Sequence, residues 1–188
     1  MSPSSSIKVD RKNNPQEAIT TSQPPLITCL DVDYRPSGAV AAGVWFRGWG
    51  AEAAEFEATC VIAEVAAYEP GSFYLRELPC LLKVLEAGPR AEVVVVDGYV
   101  SLADDRPGLG WHLHQAIGGT VIGVAKTRYA GAPATAVCRG GSGAPLFVTA
   151  IGVSAAEAAG WVAGMHGPFR LPLLLKRVDS LSRSTCKQ

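Results

Sequence analysis

Three carboxylates stand where the surrounding sequence is apolar, and each needs a partner if the chain is to fold. Asp31 lies inside the apolar segment Leu26–Tyr34, Glu77 lies between leucines, and Asp97 ends a run of four valines. An acid in such a place loses its hydration unless it meets a cation, and acids that converge from different elements repel one another. A fold that brings the three together therefore calls for a cation, and a divalent metal ion is the simplest one.

The composition predicts one soluble domain with two polar ends. The chain has 188 residues, of which 48% are hydrophobic, enough for a single well-buried core. Residues 1–25 are predicted to be a flexible arm with a short helix near Pro15, residues 26–178 the folded domain, and residues 179–188 a tail. No apolar run approaches the length of a membrane span, about 20 residues, and the N-terminus lacks signal-peptide features. The five cysteines form no C-x-x-C pair, so we expect reduced thiols in a cytoplasmic protein without membrane contact.

The formal net charge of zero hides an asymmetry between the two parts of the chain. Residues 1–125 hold nine Lys or Arg against fifteen Asp or Glu, a net charge of −6, whereas residues 126–188 hold eight against two, a net charge of +6. A protein that holds metal ions beside a phosphate backbone has such a pattern, and so does one with two ordinary solvated surfaces.

The first half of the domain is predicted to be a three-stranded sheet followed by a helix. A spacing of leucines after residue 77 predicts a helix with Glu77 on its inward face, and Pro79 lies in its first turn or kinks it. Three β-type segments with short connections precede this helix and predict an antiparallel meander: Leu26–Tyr34, Ala39–Arg47 and Phe56–Ala67.

The second half is predicted to alternate strands and helices. A meander followed by β-α-β units is the order expected of the ribonuclease H-like fold, an α/β class with a mixed sheet flanked by helices. That layout places the strands of Asp31 and Asp97 side by side with the Glu77 helix across them, so all three acids meet at one sheet edge. Short continuous apolar runs predict three parallel strands, at Glu92–Val96, Thr120–Ala125 and Leu146–Ala150. Two helices are predicted between and after them, at Trp111–Ile117 and Ser154–Met165.

Five motifs resemble, in order and spacing, those of the endonuclease V family, repair nucleases that cut nucleic acid beside a deaminated purine. The resemblance covers roughly residues 26–172, with no gap between residues 68 and 126. One such tripeptide is weak evidence, whereas five motifs in register are strong. The motifs are Asp31-Val32-Asp33-Tyr34, Tyr68-Glu69-Pro70-Gly71, Leu75-Arg76-Glu77-Leu78-Pro79, Val96-Asp97-Gly98 and Ile122-Gly123-Val124-Ala125-Lys126.

The resemblance implies a metal centre. Asp31, Glu77 and Asp97 take the places of the family's metal-binding carboxylates, which implies Mg²⁺, with Mn²⁺ as a substitute. Lys126 matches a family lysine that contacts the scissile phosphate or orients the water, although a solvated lysine at a strand end is an alternative. Asp33 lies on the same face as Asp31 by alternation and is either an auxiliary ligand or solvent-exposed.

The resemblance also implies contacts with nucleic acid. One family segment acts as a wedge in the minor groove while the altered base enters a pocket, and a damaged base costs least to extrude. The alternatives are an ordinary Pro-Gly turn with Tyr68 packed beneath it and, at Gly123, tight strand packing. The residues implied in nucleic-acid binding are Tyr68, Glu69, Pro70, Gly71, Arg76, Gly98 and Gly123.

The chain departs from the family pattern at two places. After Asp97-Gly98 the family usually has histidines, where this chain has Tyr99-Val100 and then Ala103. Where the family has a histidine before the valine-serine pair that opens the last helix, this chain has Ile151-Gly152-Val153-Ser154, so the fourth active-site position is predicted to be apolar. Glu157 is an auxiliary candidate or an ordinary helix-surface glutamate. Three histidines are predicted to be packed, structural or exposed: His112, His114 and His166.

These features favour a metal-dependent endonuclease that hydrolyses a phosphodiester on the 3′ side of a deaminated purine, inosine or hypoxanthine, in DNA or RNA. The lost histidines predict reduced activity or altered specificity. Two alternatives stay open: a non-catalytic nucleic-acid-binding relative that has lost hydrolysis, and a small α/β protein that acts on free nucleotides or phosphomonoesters. We expect a monomer, because no strong exposed apolar pattern is visible.

Overall fold

A computed structural model describes residues 23–67 and 69–184. The predicted arm and its helix near Pro15 lie almost entirely outside these residues, as do Tyr68 and Cys186. The described residues contain strands β1 (Leu26–Arg35), β2 (Gly38–Arg47), β3 (Phe56–Ile62), β4 (Val93–Asp97), β5 (Thr120–Ala125), β6 (Thr135–Val137) and β7 (Leu146–Ile151), and helices α1 (Phe73–Glu86), α2 (Leu109–Ile117), α3 (Ala155–Gly164) and α4 (Leu173–Arg183).

The strands form one mixed sheet in the order β3-β2-β1-β4-β5-β7-β6. The first three pair antiparallel, as the predicted meander requires, and β1, β4 and β5 are parallel neighbours. With helices on both faces, this confirms the predicted α/β, ribonuclease H-like class. The parallel pairing matters for the site, because the carboxyl ends of parallel strands lie at the same edge of a sheet.

Three details of the sheet differ from the prediction. Strand β7 is antiparallel to β5, and it pairs on its other side with the short strand β6, which the sequence did not indicate. A strand covered on both faces has a continuous apolar run whether it is parallel or antiparallel to its neighbour, so the run indicates burial but not strand direction. Strand β3 ends at Ile62 instead of Ala67, because residues beyond Ile62 have no pairing partner on β2.

Each face of the sheet has its own hydrophobic core. Helices α1 and α2 pack on one face around Trp45 and Leu81, and α3 and α4 cover the other around Phe46 and Val162. The predicted tail boundary after residue 178 falls inside α4, which runs to Arg183 because its apolar residues pack against β1 and β2.

Helix α1 begins earlier than its leucine pattern suggested. It starts at Phe73, so Pro79 lies beyond the first turn and within the helix. Proline cannot donate the hydrogen bond that Leu75 would otherwise accept. Both residues are exposed, so water can satisfy that carbonyl. The early start places Glu77 on the second turn with its side chain buried against the sheet, as predicted.

We predict that Gly43→Ala destabilises the protein by about 1–3 kcal/mol, because a core that is already filled resists an added methyl group. A Cβ at Gly43 would lie 2.5 Å from two ring carbons of the fully buried Trp45. Urea unfolding measures the change. Gly50→Ala is the matched control, since a Cβ there meets nothing within 4 Å and should shift stability by less than about 0.5 kcal/mol. Equal effects from both variants would contradict the packing argument.

Candidate active site

The strand register brings the predicted acids and lysine to one edge of the sheet. Leu30 pairs with Val96 across β1 and β4, so Asp31 and Asp97 are the next residues on two adjacent parallel strands. Asp97 in turn pairs with Val124 on β5, and Lys126 follows β5 directly. Asp97 ends β4 and Lys126 follows β5, whereas Asp31 lies within β1 just beyond its last pair with β4. The parallel pairing makes the three side chains neighbours.

A narrow crevice at this edge is lined by charged residues from three strands and one helix. Asp31, Asp97, Lys126 and Asp179 line it together with apolar side chains. The Lys126 ammonium lies 2.8 Å from Asp97 Oδ2 and 3.6 Å from Asp179 Oδ1. These carboxylates raise the pKa of Lys126 against the opposing effect of burial, so the lysine stays protonated.

Asp179 was missed in the sequence analysis. It lies on α4, in a segment predicted to be a tail, and its other partner is Arg183 at 2.9 Å. One signal was available: residues 126–188 contain just two acids, Glu157 and Asp179, among eight basic residues. The predicted apolar fourth position is therefore incomplete as a description of the site, because α4 brings a fourth carboxylate from outside the matched motifs.

A hydrogen bond between Asp31 and the end of α4 connects the two elements. Ser182, fully buried on α4, donates from Oγ to Asp31 Oδ2 at 2.6 Å. Arg35 donates to the carbonyl oxygens of Ser182 and Ser184 and pairs with Asp33 at 3.1 Å. Asp33 is thus engaged in orienting Arg35, and its predicted auxiliary role is not supported by a contact with Asp31.

Glu77 reaches the site from α1 on the opposite face of the sheet. Burial, together with the negative charges of Asp31 and Asp97, raises the pKa of Glu77 to about 8. Its Oε2 atom is buried without a hydrogen-bond partner among the described residues. Burial also raises the pKa of Asp31, although the Ser182 hydrogen bond opposes this. Ionised carboxylates in these positions need a cation.

The donor set fits a hard divalent cation. Carboxylate oxygens are the ligands that Mg²⁺ and Mn²⁺ prefer, and the Glu77 oxygen without a hydrogen-bond partner in residues 23–67 and 69–184 is of this type. In the arrangement described for residues 23–67 and 69–184, no three His, Cys, Asp or Glu side chains stand close enough to form a metal-binding group. The Lys126 ammonium supplies the positive charge among the acids in this arrangement.

The predicted wedge segment borders a cavity beside Asp97. Glu69, Pro70 and Gly71 form an exposed turn in which the Ser72 amide donates to the Glu69 carbonyl at 3.0 Å, directly before α1. Gly71 has φ +83°, which favours glycine. The cavity has a volume of about 190 Å³, and its lining includes Gly71, Phe73, Asp97, Gly98 and Tyr99.

The remaining predicted site residues have structural partners. A Cβ at Gly123 would lie 2.6 Å from the Gly98 carbonyl oxygen, so Gly123 permits close packing of the turn after β4. The Arg76 guanidinium lies 3.8 Å from the centre of the Tyr34 ring. Glu157 accepts a hydrogen bond from Ser154 at 2.6 Å and belongs to the N-terminal cap of α3.

The histidines also have structural partners. His112 stacks on Tyr74 with ring centroids 3.5 Å apart, as the packing interpretation predicted. His114 Nδ1 lies 2.8 Å from the Gly119 carbonyl oxygen, and His166 lies 3.7 Å from Glu52.

Acidic side chains that meet at one edge of a ribonuclease H-like sheet, with a lysine among them, define an α/β protein with a candidate cation-binding active site. Residues 7–170 match the family model described as Endonuclease V. The chain belongs to the endonuclease V family, as its motifs predicted.

Individual relatives agree with this assignment. An Endonuclease V from Streptomyces coelicolor is 38% identical over 105 residues, which are 55% of this chain and 45% of that protein. The chain thus aligns with about half the length of that curated relative. A crystal structure of Endonuclease V from Streptomyces avermitilis is 29% identical and superimposes with a TM-score of 0.69, covering 85% of this chain and 82% of that one.

A more distant structure shares the fold. Ciona intestinalis Endonuclease V, crystallised with a 24mer DNA that contains an inosine followed by a ribo-adenosine, is 21% identical with a TM-score of 0.74. The match covers 85% of this chain and 84% of that one. In the part of this chain that the structure describes, no helix is both long and apolar enough to cross a membrane.

We predict that the metal-free protein loses stability as the pH rises from about 5 to 8, and that Glu77→Gln reduces this loss. The unfolded chain releases the Glu77 proton near 4.5, whereas the folded protein keeps it up to about 8. The stabilisation is therefore complete below pH 4.5 and disappears as the pH passes 8. Each kcal/mol lost lowers the melting temperature by about 2–4 °C in a chain of this size.

Thermal unfolding in EDTA at several pH values measures this effect. Glu86→Gln is the matched control, because it removes an exposed glutamate from the same helix. Parallel pH profiles for wild type and Glu77→Gln would rule out the buried acid as the cause.

Proposed function

We propose that this protein is a metal-dependent endonuclease that hydrolyses a phosphodiester on the 3′ side of a deaminated purine, inosine or hypoxanthine, in DNA or RNA. The observation that carries this proposal is the convergence of acids and a lysine at one sheet edge, where the buried Glu77 Oε2 atom has no hydrogen-bond partner among the described residues. Membership of the endonuclease V family supports the reaction type.

The acids on β1, α1, β4 and α4 would hold the metal, Mg²⁺ with Mn²⁺ as a substitute: Asp31, Glu77, Asp97 and Asp179. A bound divalent ion in such a site activates a water molecule and stabilises charge that gathers on the phosphate. Ser182 orients Asp31 by its hydrogen bond, and a partner of this kind commonly fixes a ligand's geometry.

Lys126 contributes a charge that can move between partners. Its ammonium is half-exposed and now contacts Asp97 and Asp179. When cations and a phosphate enter the site, the same ammonium can turn to the phosphate oxygens, because a flexible lysine acts as a mobile point charge. The raised pKa keeps it charged throughout the neutral range.

The cavity beside Asp97 has features that suit an extruded base. The cavity has a volume of about 190 Å³ and is lined in part by Asp97. Phe73 adds an exposed aromatic surface next to the Glu69-Pro70-Gly71 turn. A base leaves its stack at least cost where it is mispaired or damaged. The inosine-containing DNA bound by the Ciona relative supports the choice of substrate. The predicted roles of Tyr68, Arg76 and Gly98 at nucleic acid stay predictions.

The alternative of a non-catalytic binding relative rested on an apolar fourth position. Asp179 weakens that reasoning, since it adds a carboxylate to the crevice. The predicted cytoplasmic location, monomeric state and magnesium dependence stay predictions.

We predict that Asp31→Ala and Asp97→Ala each lower cleavage by at least about 10³-fold, because each removes a carboxylate from the metal site. Gel-resolved cleavage of single- and double-stranded DNA and RNA with one inosine, in Mg²⁺, Mn²⁺ or EDTA, measures this. Glu86→Gln is the matched control and should stay within about threefold of wild type, because this exposed glutamate does not line the crevice. Metal-dependent cutting that survives in both alanine variants would overturn the proposal; binding of inosine strands without any cutting would favour the non-catalytic alternative.

We predict that Asp179→Asn lowers cleavage by about 10- to 100-fold in saturating Mg²⁺, with partial recovery at higher metal concentration, because one of four oxygen donors loses its charge. A titration of rate against Mg²⁺ measures the effect. Arg183→Gln serves as control, since it breaks the exposed Arg183–Asp179 pair without removing the carboxylate. An unchanged metal dependence in Asp179→Asn would exclude this residue from the site.

A further inference from the structure

The side chain of Tyr99 joins two loops that border the site. Its hydroxyl donates to the Thr127 carbonyl oxygen at 2.8 Å and accepts from the Tyr129 amide at 2.9 Å. The aromatic rings of Tyr99 and Tyr129 pack with their centroids 6.1 Å apart. The Tyr99 hydroxyl is therefore hydrogen-bonded to the backbone of the segment that follows β5.

These bonds complete a ring of interactions around two charged site residues. Asp97 precedes Tyr99 by two residues, and Lys126 directly precedes Thr127. The Lys126 ammonium contacts Asp97 Oδ2 at 2.8 Å on one side of this ring, and the Tyr99 hydroxyl joins the same two segments on the other. The separation between the two segments is thus fixed at two points.

The turn that carries Tyr99 is held by hydrogen bonds of its own. The Val100 amide donates to the buried Thr149 hydroxyl at 2.8 Å, and the Gly110 amide donates to the Tyr99 carbonyl oxygen at 3.0 Å. The turn also packs closely on β5, since a Cβ at Gly123 would lie 2.6 Å from the Gly98 carbonyl oxygen. Tyr99 is consequently a fixed point from which a hydroxyl can hold another segment.

The segment that follows Lys126 has fewer contacts that hold it in place. Residues 126–130 are exposed and lie beyond the last pair of the β5 ladder. Arg170 donates to the Lys126 carbonyl oxygen, and the Tyr99 hydroxyl provides the next two contacts along the chain. A loop with few buried contacts relies on such bonds for its position.

We infer that Tyr99 is a positioning residue: its hydroxyl fixes the segment after Lys126 so that the ammonium stays directed at the Asp97 edge of the site. Its effect on cleavage rests on the proposed function, whereas its effect on the loop does not. Because both hydrogen-bonding capacities of the hydroxyl are used on backbone atoms, Tyr99 does not select the base by hydrogen bonding, although its ring lines the cavity.

The test compares Tyr99→Phe with Tyr129→Phe. The first keeps the ring and removes both backbone contacts, whereas the second removes only the contact that Tyr129 accepts from Arg106 at 2.7 Å. Hydrogen exchange of the backbone amide at position 129 should be about three- to tenfold faster in Tyr99→Phe and unchanged in Tyr129→Phe. The NMR signal of the Lys126 ammonium should broaden or shift only in Tyr99→Phe. Unchanged exchange and an unchanged ammonium signal would overturn the inference, whether or not the protein cleaves.

Cleavage kinetics test the functional consequence separately. Tyr99→Phe should lower kcat by about three- to tenfold with KM unchanged, and should add no further loss in a Lys126→Ala background, because the two residues act in series. The preference for inosine over guanosine should not change. An equal loss in both backgrounds, or altered base preference, would overturn the role. If wild type does not cleave, the proposed endonuclease fails while the exchange result still decides the loop role.

Discussion

The mutual repulsion of carboxylates at the edge of the sheet is the constraint on which the site depends. Asp31 and Asp97 end up side by side because β1 and β4 are parallel neighbours, and Glu77 arrives from the opposite face on α1. Burial raises the pKa of Glu77 and Asp31, so the protein alone stabilises their ionised forms poorly. A site of this kind has its lowest free energy when cations share it, and Lys126 supplies one of them.

The last helix completes this arrangement. Helix α4 carries Asp179 into the crevice and donates a hydrogen bond from Ser182 to Asp31. Arg35 caps the same helix end through two carbonyl oxygens and is itself oriented by Asp33. Asp33, which the sequence offered as an auxiliary ligand, thus helps to hold the helix that carries Asp179. The position of the fourth carboxylate is a property of packing between β1 and α4.

The loops at the same edge show how a chain that departs from its family pattern keeps a defined site. Where the pattern has a histidine, Tyr99 bonds to the backbone after Lys126, and Thr149 holds the following amide. The polar loop thus differs from the family pattern, while hydrogen bonds with the Tyr99 hydroxyl and the Thr149 hydroxyl restrain the backbone beside Asp97 and Lys126.

Much of the fold and part of the candidate site could be predicted from the sequence. Alternating and continuous apolar runs defined the meander, the strands β4 and β5 and the inward face of α1, because burial of apolar side chains has a period that the sequence displays. The acids at Asp31, Glu77 and Asp97 were visible because each interrupts an apolar context. The direction of β7 and the existence of β6 were not visible, since burial carries no information on strand direction.

By itself, the sequence determined most of the strands and helices and which acids interrupt or end their apolar runs. Tertiary structure alone decided that Asp179 and Ser182 join the site, that Asp33 turns to Arg35, and that the Tyr99 hydroxyl reaches Thr127. The physical reason is the range of the interactions: periodicity and strand ends are set by neighbours in the chain, whereas these contacts join residues far apart in sequence whose proximity exists only after the sheet and its helices have packed.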